Sequence, residues 1–155
     1  MTSYSEVTPA VGERHALALR DHLETQKSAM TDLLARLAEA ESPTDAPVSH
    51  AAVRSILIDE WQRVGARARR WRGRGVGDGL LVCPSERRSG RPWQLLVGHF
   101  DTVWPLGTLQ RMPVRLEHGR LHGPGVFDMK AGLVMMIHAV AALRELGLDL
   151  PADPV

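Results

Sequence analysis

A chain of 155 residues, 44% hydrophobic and 24% charged, can bury a core of its own and has the composition of a globular domain, which argues against a disordered or fibrous protein. The formal net charge of +1 gives no global bias toward nucleic acid or an anionic membrane, and the single cysteine, Cys83, excludes an internal disulfide and a cysteine-rich zinc cluster. No basic segment followed by an apolar run opens the chain, and the longest mostly apolar stretch, 133–143, is interrupted by His138 and falls short of the ~20 residues that span a bilayer, so the expectation is a cytoplasmic protein with no membrane partner.

In chain order, residues 1–13 lack hydrophobic periodicity and, with the following residues to 23, read as a loose leader before a single unit, 24–155. Over 24–41, Leu33, Leu34, Leu37 and Ala38 recur at helical spacing and predict an amphipathic helix. Glu41, Ser42, Pro43, Thr44, Asp45, Ala46 and Pro47 form a turn, because Pro43 disfavours helix before it and Pro47 can start the next one. A second helix is expected over 48–64, with Val53, Ile56, Leu57 and Trp61 on one face. Three strand-like runs follow, at 66–71, 79–83 and 93–97, with a glycine-rich turn at 75–78 and a polar loop at 85–92. The third run is almost wholly apolar, as a strand covered on both faces would be. Residues 114–116 and 120–121 predict a small hairpin around His118 and Gly119. A strongly apolar helix is expected over 130–146, stopped by Gly147, and the tail 148–155 reads as a loop entering another strand. Helices, then strands, then a crossover helix point to an α/β fold of three layers.

Chemistry concentrates in two glycine-rich segments. The first is Gly98, His99, Phe100, Asp101, Thr102 and Val103, directly after the third apolar run; the second is Gly123, Pro124, Gly125, Val126, Phe127, Asp128, Met129 and Lys130, directly before the apolar helix. Ligand sites in α/β sheets gather at the carboxyl ends of strands, where His99 falls. Its imidazole can bind a metal through one nitrogen while Asp101, two residues on, takes the other ring N–H. Asp128, at the expected start of a helix, has two oxygens and could bridge a pair of cations. Read singly, His99 is a residue ending a strand and Asp128 a helix cap.

Together and in this order, the segments resemble those of the zinc-dependent exopeptidases and deacylases that include glutamate carboxypeptidase, acetylornithine deacetylase, succinyl-diaminopimelate desuccinylase and the aminoacylases. The Gly-His-x-Asp-Thr-Val pattern matches at 98–103 and Gly-x-Gly-x-x-Asp-Met-Lys-x-Gly at 123–132; Pro105, Leu106, Gly107, Thr108 and Leu109 and the hairpin before Gly123 resemble the glutamate carboxypeptidase-like branch, as does the turn Glu41, Ser42, Pro43 after a helix. The resemblance covers about 33–150. It implies a three-layer α/β/α catalytic domain, here incomplete and without the lid domain. It further implies metal ligation by His99 and Asp128, Asp101 as the catalytic-site carboxylate that orients His99, a cis peptide after Asp128, and zinc as cofactor (two ions in the complete site, cobalt or manganese as substitutes). The implied reaction is attack of a metal-bound hydroxide on an amide of a small peptide or N-acyl amino acid, with a glutamate moving the proton.

The family's Glu-Glu pair, its later carboxylate and histidine ligands and its lid have no counterpart in these residues. His118, His122 and His138 match no ligand position. The expectation is therefore a fragment that carries half the site, is inactive alone and binds metal weakly or not at all, since zinc sites use three or four protein donors. Homodimers are expected only of a full-length form. The alternative is a truncated, non-enzymatic relative acting as an interaction module, with Leu133, Met136, Ile137 and Val140 as an uncovered apolar helix face. Arg63, Arg67, Arg69, Arg70, Arg72 and Arg74 form a basic run, read as a solvated strand edge rather than a nucleic-acid surface.

Overall fold

The computed structural model describes residues 12–73, 77–85, 90–149 and 152–155. Residues 1–11, Arg74, and parts of the expected 75–78 turn and 85–92 loop lie outside these ranges. Glu13–Thr25 forms helix α1, which corrects the expectation of a loose leader as far as residue 23. None of its residues is fully buried, and its apolar stripe, Ala16, Leu19 and Leu23, is at most half-covered. The expected helix 24–41 is split: Gln26 leaves helical geometry, α1 ends with Thr25 Oγ1 donating to His22 O at 2.6 Å, and α2 runs Lys27–Glu39.

Helix α2 buries Leu33, Leu37 and Ala38, and α3, His50–Arg63, buries Val53 and Leu57. A single 3₁₀ turn, Pro47–Ser49, leads into α3, as the proline suggested. The apolar faces meet those of Val134 and Ile137 on α4, Ala131–Glu145, so one cluster of Leu33, Leu37, Val53, Leu57, Val134 and Ile137 joins the three helices. Each such side chain contributes about 1.5–3 kcal/mol by leaving water. Arg36 Nη1 on α2 reaches Glu60 Oε1 on α3 at 2.8 Å across the rim of this cluster. Glu60 is held below the usual carboxylate range: burial pushes it up, and the hydrogen bonds from Arg36 and Arg63 outweigh that.

From Val126 to Glu145 the helical stretch reaches 20 residues at a mean hydropathy of 1.6, the length of a membrane span. Val134 and Ile137 pack one face of it into the shared cluster. Ile137 is buried there, which corrects the expectation that it belongs to an uncovered face. The end of α4 is closed by main-chain bonds from Gly147 N to Arg144 O and from Leu148 N to Leu143 O, with Gly147 at φ 63°, the glycine stop foreseen from the sequence.

Strands β1, Ala66–Trp71, and β2, Gly79–Pro84, pair antiparallel from Ala66 opposite Pro84 to Trp71 opposite Gly79. Arg63 and Arg70 in the basic run bond Glu60 and Asp78, which fits a solvated edge. The hairpin of β4, Arg115–Glu117, and β5, Arg120–His122, turns at His118 and Gly119, both with positive φ.

The expected strand 93–97 is cut to β3, Trp93–Gln94, paired parallel with β6, Asp153–Pro154. Main-chain bonds from Val155 N to Gln94 O and from Leu96 N to Val155 O carry the ladder one step further. Leu95 and Val97 are 70% and 73% exposed, which overturns the reading of a strand covered on both faces. Between this segment and β2 runs an apolar groove of about 620 Å³, floored by Leu133 and Met136 of α4. The fold is thus of the expected α/β class but incomplete: among the described residues the strands form three separate two-stranded sheets instead of one continuous layer.

Candidate metal and catalytic site

Two glycines bring the two motif segments together. A Cβ on Gly98 would stand 2.8 Å from Leu133 Cδ2, so a larger residue there would have to push that side chain of α4 aside. A Cβ on Gly125 would stand 2.5 Å from Thr102 Cγ2, and Gly125 also has φ +70°. The second motif therefore packs directly on the first, and no larger residue fits where they touch.

The turn Val126–Lys130 precedes α4, and within it Asp128 leaves helical geometry (φ −121°, ψ 100°). The Asp128–Met129 peptide is cis, in line with the family resemblance. Asp128 is not the cap of α4, which starts at Ala131 with no side-chain capping bond, so the reading of a helix N-cap does not hold. Its carboxylate instead faces His99: His99 Nε2 and Asp128 Oδ1 are 3.0 Å apart. On the other side of the ring, Nδ1 lies 3.0 Å from the main-chain oxygen of Asp101 and 3.3 Å from its Oδ1. Asp101 thus faces His99 with its backbone as well as with the carboxylate that the sequence pointed to. The imidazole is shifted up: burial works to lower it, but the hydrogen bonds to Asp101 and Asp128 outweigh burial.

His99 Nε2 and Asp128 Oδ1 are the donor types that zinc takes. They converge on one point, and the second ring nitrogen is already engaged, so they fit as part of a metal shell. They do not make a closed one, since no group of three or more His, Cys, Asp or Glu side chains suited to a metal occurs among the described residues. His118 lies in the hairpin turn and His122 in β5. His138 sits midway along α4, shifted down by burial, and does not join the cluster.

Sequence reasoning missed the residues that hold these segments in place. Lys130 is 1% exposed, and its Nζ donates to Leu37 O at 2.8 Å and Ala40 O at 2.9 Å. It thereby satisfies carbonyls that the end of α2 leaves without helical partners. Burial lowers its pKa to about 8 against the opposing pull of Glu41. Glu41 accepts from Gly107 N at 2.9 Å and Leu109 N at 3.1 Å, and these bonds hold its carboxyl below the usual range, that to Gly107 most strongly. Ser42, fully buried, donates from Oγ to Phe100 O at 2.7 Å and accepts from Thr102 N at 2.8 Å. Thr44 N donates to Thr102 O at 2.9 Å. His50, expected only as part of a helix, packs edge-on against Phe100 and bonds Pro43 O through Nε2 at 2.8 Å. The available signal was a lone lysine opening an apolar helix and a polar turn ending another.

Comparison with known proteins adds three findings. Residues 95–155 match the model of Peptidase family M20/M25/M40. Over 123 residues the chain is 31% identical to carboxypeptidase G2 of Pseudomonas sp., covering 79% of this chain and 30% of that enzyme. Over 74 residues it is 42% identical to a putative succinyl-diaminopimelate desuccinylase of Mycobacterium tuberculosis, covering 48% of this chain and 20% of the relative. The chain thus spans less than a third of the length of either curated relative. Among solved structures, human carnosine dipeptidase 1 superposes with a TM-score of 0.68 at 21% identity, over 88% of this chain and 32% of that one, a likeness of fold.

Proposed function

We propose, from the premise that this chain belongs to peptidase family M20/M25/M40, that it forms part of a metal-dependent hydrolase of amide bonds in small peptides or N-acyl amino acids. The observation that carries the reading is the approach of His99 Nε2 to Asp128 Oδ1 at 3.0 Å, between two segments far apart in sequence. The named relatives, a carboxypeptidase and a desuccinylase, are both hydrolases of amide linkages, and the substrate class is taken from them.

In this reading His99 and Asp128 bind zinc, and Asp101 keeps the imidazole turned so that Nε2 faces the metal. Zinc bound there supplies polarisation of an amide carbonyl and a bound water with its pKa lowered to about 7. Metal binding takes the Nε2 lone pair, so any proton on that nitrogen must leave, and binding should strengthen as pH rises through the imidazole range. With two protein donors the affinity of the chain alone is weak.

Titration calorimetry with zinc on the 155-residue chain tests the reading. Weak binding is expected, lost in both His99→Ala and Asp128→Asn. Binding that survives both substitutions would remove these residues from the metal site.

A further inference from the structure

The turn 41–44 carries no residue that the motifs mark for chemistry, yet one of its side chains reaches the site. Thr44 Oγ1 lies 2.7 Å from Asp101 Oδ2 and 3.2 Å from Thr102 O. A hydroxyl has one proton to give. Thr102 O already accepts the main-chain N–H of Thr44 at 2.9 Å, whereas Asp101 Oδ2 offers a charged acceptor at shorter range. The proton therefore goes to Asp101. The other oxygen of that carboxylate, Oδ1, faces His99 Nδ1 at 3.3 Å beside the main-chain oxygen of Asp101 at 3.0 Å, and the far ring nitrogen faces Asp128 at 3.0 Å.

We propose that Thr44 is a positioning residue of the site, acting through Asp101 on the orientation and tautomer of His99. With Oδ2 held, the Asp101 carboxylate cannot rotate freely, and Oδ1 stays beside Nδ1, where it joins the main-chain oxygen of Asp101 in favouring Nδ1–H against the pull of Asp128 on Nε2. The Nδ1–H form is the one whose Nε2 lone pair is free for a cation. Thr44 can act as a fixed point because its own backbone is fixed. Pro43 beside it is fully buried and bonded by His50, and Ser42 ties the turn to Phe100 and Thr102. The proposal deepens the metal-site reading and rests on it for its functional meaning, but the geometry it asserts exists without metal.

A structural role confined to the bridge between Pro43 and Thr102 makes a different prediction. Thr44→Val keeps the shape and the main-chain bond to Thr102 and removes only the hydroxyl. The test is imidazole nitrogen NMR of the metal-free 155-residue chain, at a pH where histidines are neutral, with the His99 signals assigned by their loss in His99→Gln. The wild-type chain is expected to show Nδ1–H as the larger His99 tautomer, since two Asp101 oxygens face Nδ1 against one Asp128 oxygen at Nε2. In Thr44→Val the two nitrogen shifts should move toward the Nε2–H form while the Thr102 amide stays in place, and Thr44→Ser should restore them. In an Asp101→Asn background, Thr44→Val should add no further change, because the two residues act in series. Zinc affinity should fall about 3–10-fold in Thr44→Val, less than for a group directly bonded to a ligand. Unchanged His99 shifts in Thr44→Val, no recovery in Thr44→Ser, or an additive effect on top of Asp101→Asn would each overturn the proposal. Zinc binding indifferent to His99→Ala would sink the metal reading alone, leaving the metal-free spectra to decide Thr44.

Discussion

The two ends of the segment 93–103 are held in opposite ways. At its carboxyl end, Phe100, Asp101 and Thr102 are fastened by Ser42 and Thr44 through main-chain and side-chain hydrogen bonds, and Gly125 packs against Thr102. At its amino end, Leu95 and Val97 stand exposed over an apolar groove, with a ladder that extends only from Trp93 to Leu96. The same few residues of chain thus pass from a poorly supported strand into a tightly specified loop. The difference teaches that the site geometry is not inherited from the sheet. It is set just past the C-terminal end of α2: Lys130 takes up carbonyls at that end, Glu41 the main-chain N–H groups of Gly107 and Leu109, and Ser42 and Thr44 groups of the first motif segment.

The comparison can be broken most severely at the base of the clamp. Leu37 is fully buried in the cluster that joins α2 to α4. Leu37→Ala should cost about 2–5 kcal/mol in urea unfolding followed by circular dichroism, and should loosen the site together with the fold. A loss below about 1 kcal/mol would show that the helices do not share one cooperative core.

Lys130→Met removes the ammonium but keeps much of the stem. It leaves Leu37 O and Ala40 O without the bonds they now accept, at about 1–3 kcal/mol for a buried group left unpaired. The same unfolding measurement should show this loss. Amide exchange at 126–130 should rise more than at β1 and β2, since the clamp acts on the second motif.

Glu41→Gln is smaller, at about 1–2 kcal/mol, because it weakens two hydrogen bonds to a charged acceptor without deleting them. It carries a pH signature. The Glu41 carboxyl is lowered in the folded chain, so the folded state binds the proton less readily than the unfolded chain. Its contribution is present in full above the unfolded carboxylate range and is lost as pH falls through the lower, folded value. Stability of the wild-type chain should therefore drop on acidification more steeply than that of Glu41→Gln; parallel acid limbs would contradict the role assigned to this carboxylate.

At the other end of the comparison, Val97→Ser in the open groove should change unfolding free energy by no more than about 0.5 kcal/mol. A loss as large as that of Glu41→Gln would mean that the groove is packed in solution. Light scattering on the same sample would show whether a second copy of the chain packs it.

Much of the molecule was legible before its structure. Strand β1 falls at the expected residues, and β2 and α3 lie within a residue or two of theirs, because alternation, turn-flanked apolar runs and helical spacing are local signals. The glycine stop of α4 and the hairpin turn were legible for the same reason. Helix α1 was not read, although Ala16, Leu19 and Leu23 recur at helical spacing, because the stripe is short and at most half-covered. Strand β3 was over-read, because apolar content reports a tendency to be covered and not whether a partner strand is there to cover it.

By itself the sequence determined which side chains have metal-donor chemistry: an imidazole and two carboxylates at the ends of regular elements, set in glycine-rich chain. Residue type and spacing are enough for that, since donor chemistry is a property of single side chains. Only the tertiary structure decided that His99 and Asp128 meet, that Asp128 caps no helix, and that Lys130, Glu41 and Thr44 belong to the site's support. Those contacts join residues far apart in the chain. Their partners are mostly backbone oxygens and N–H groups, which every residue carries and which therefore leave no mark in a sequence.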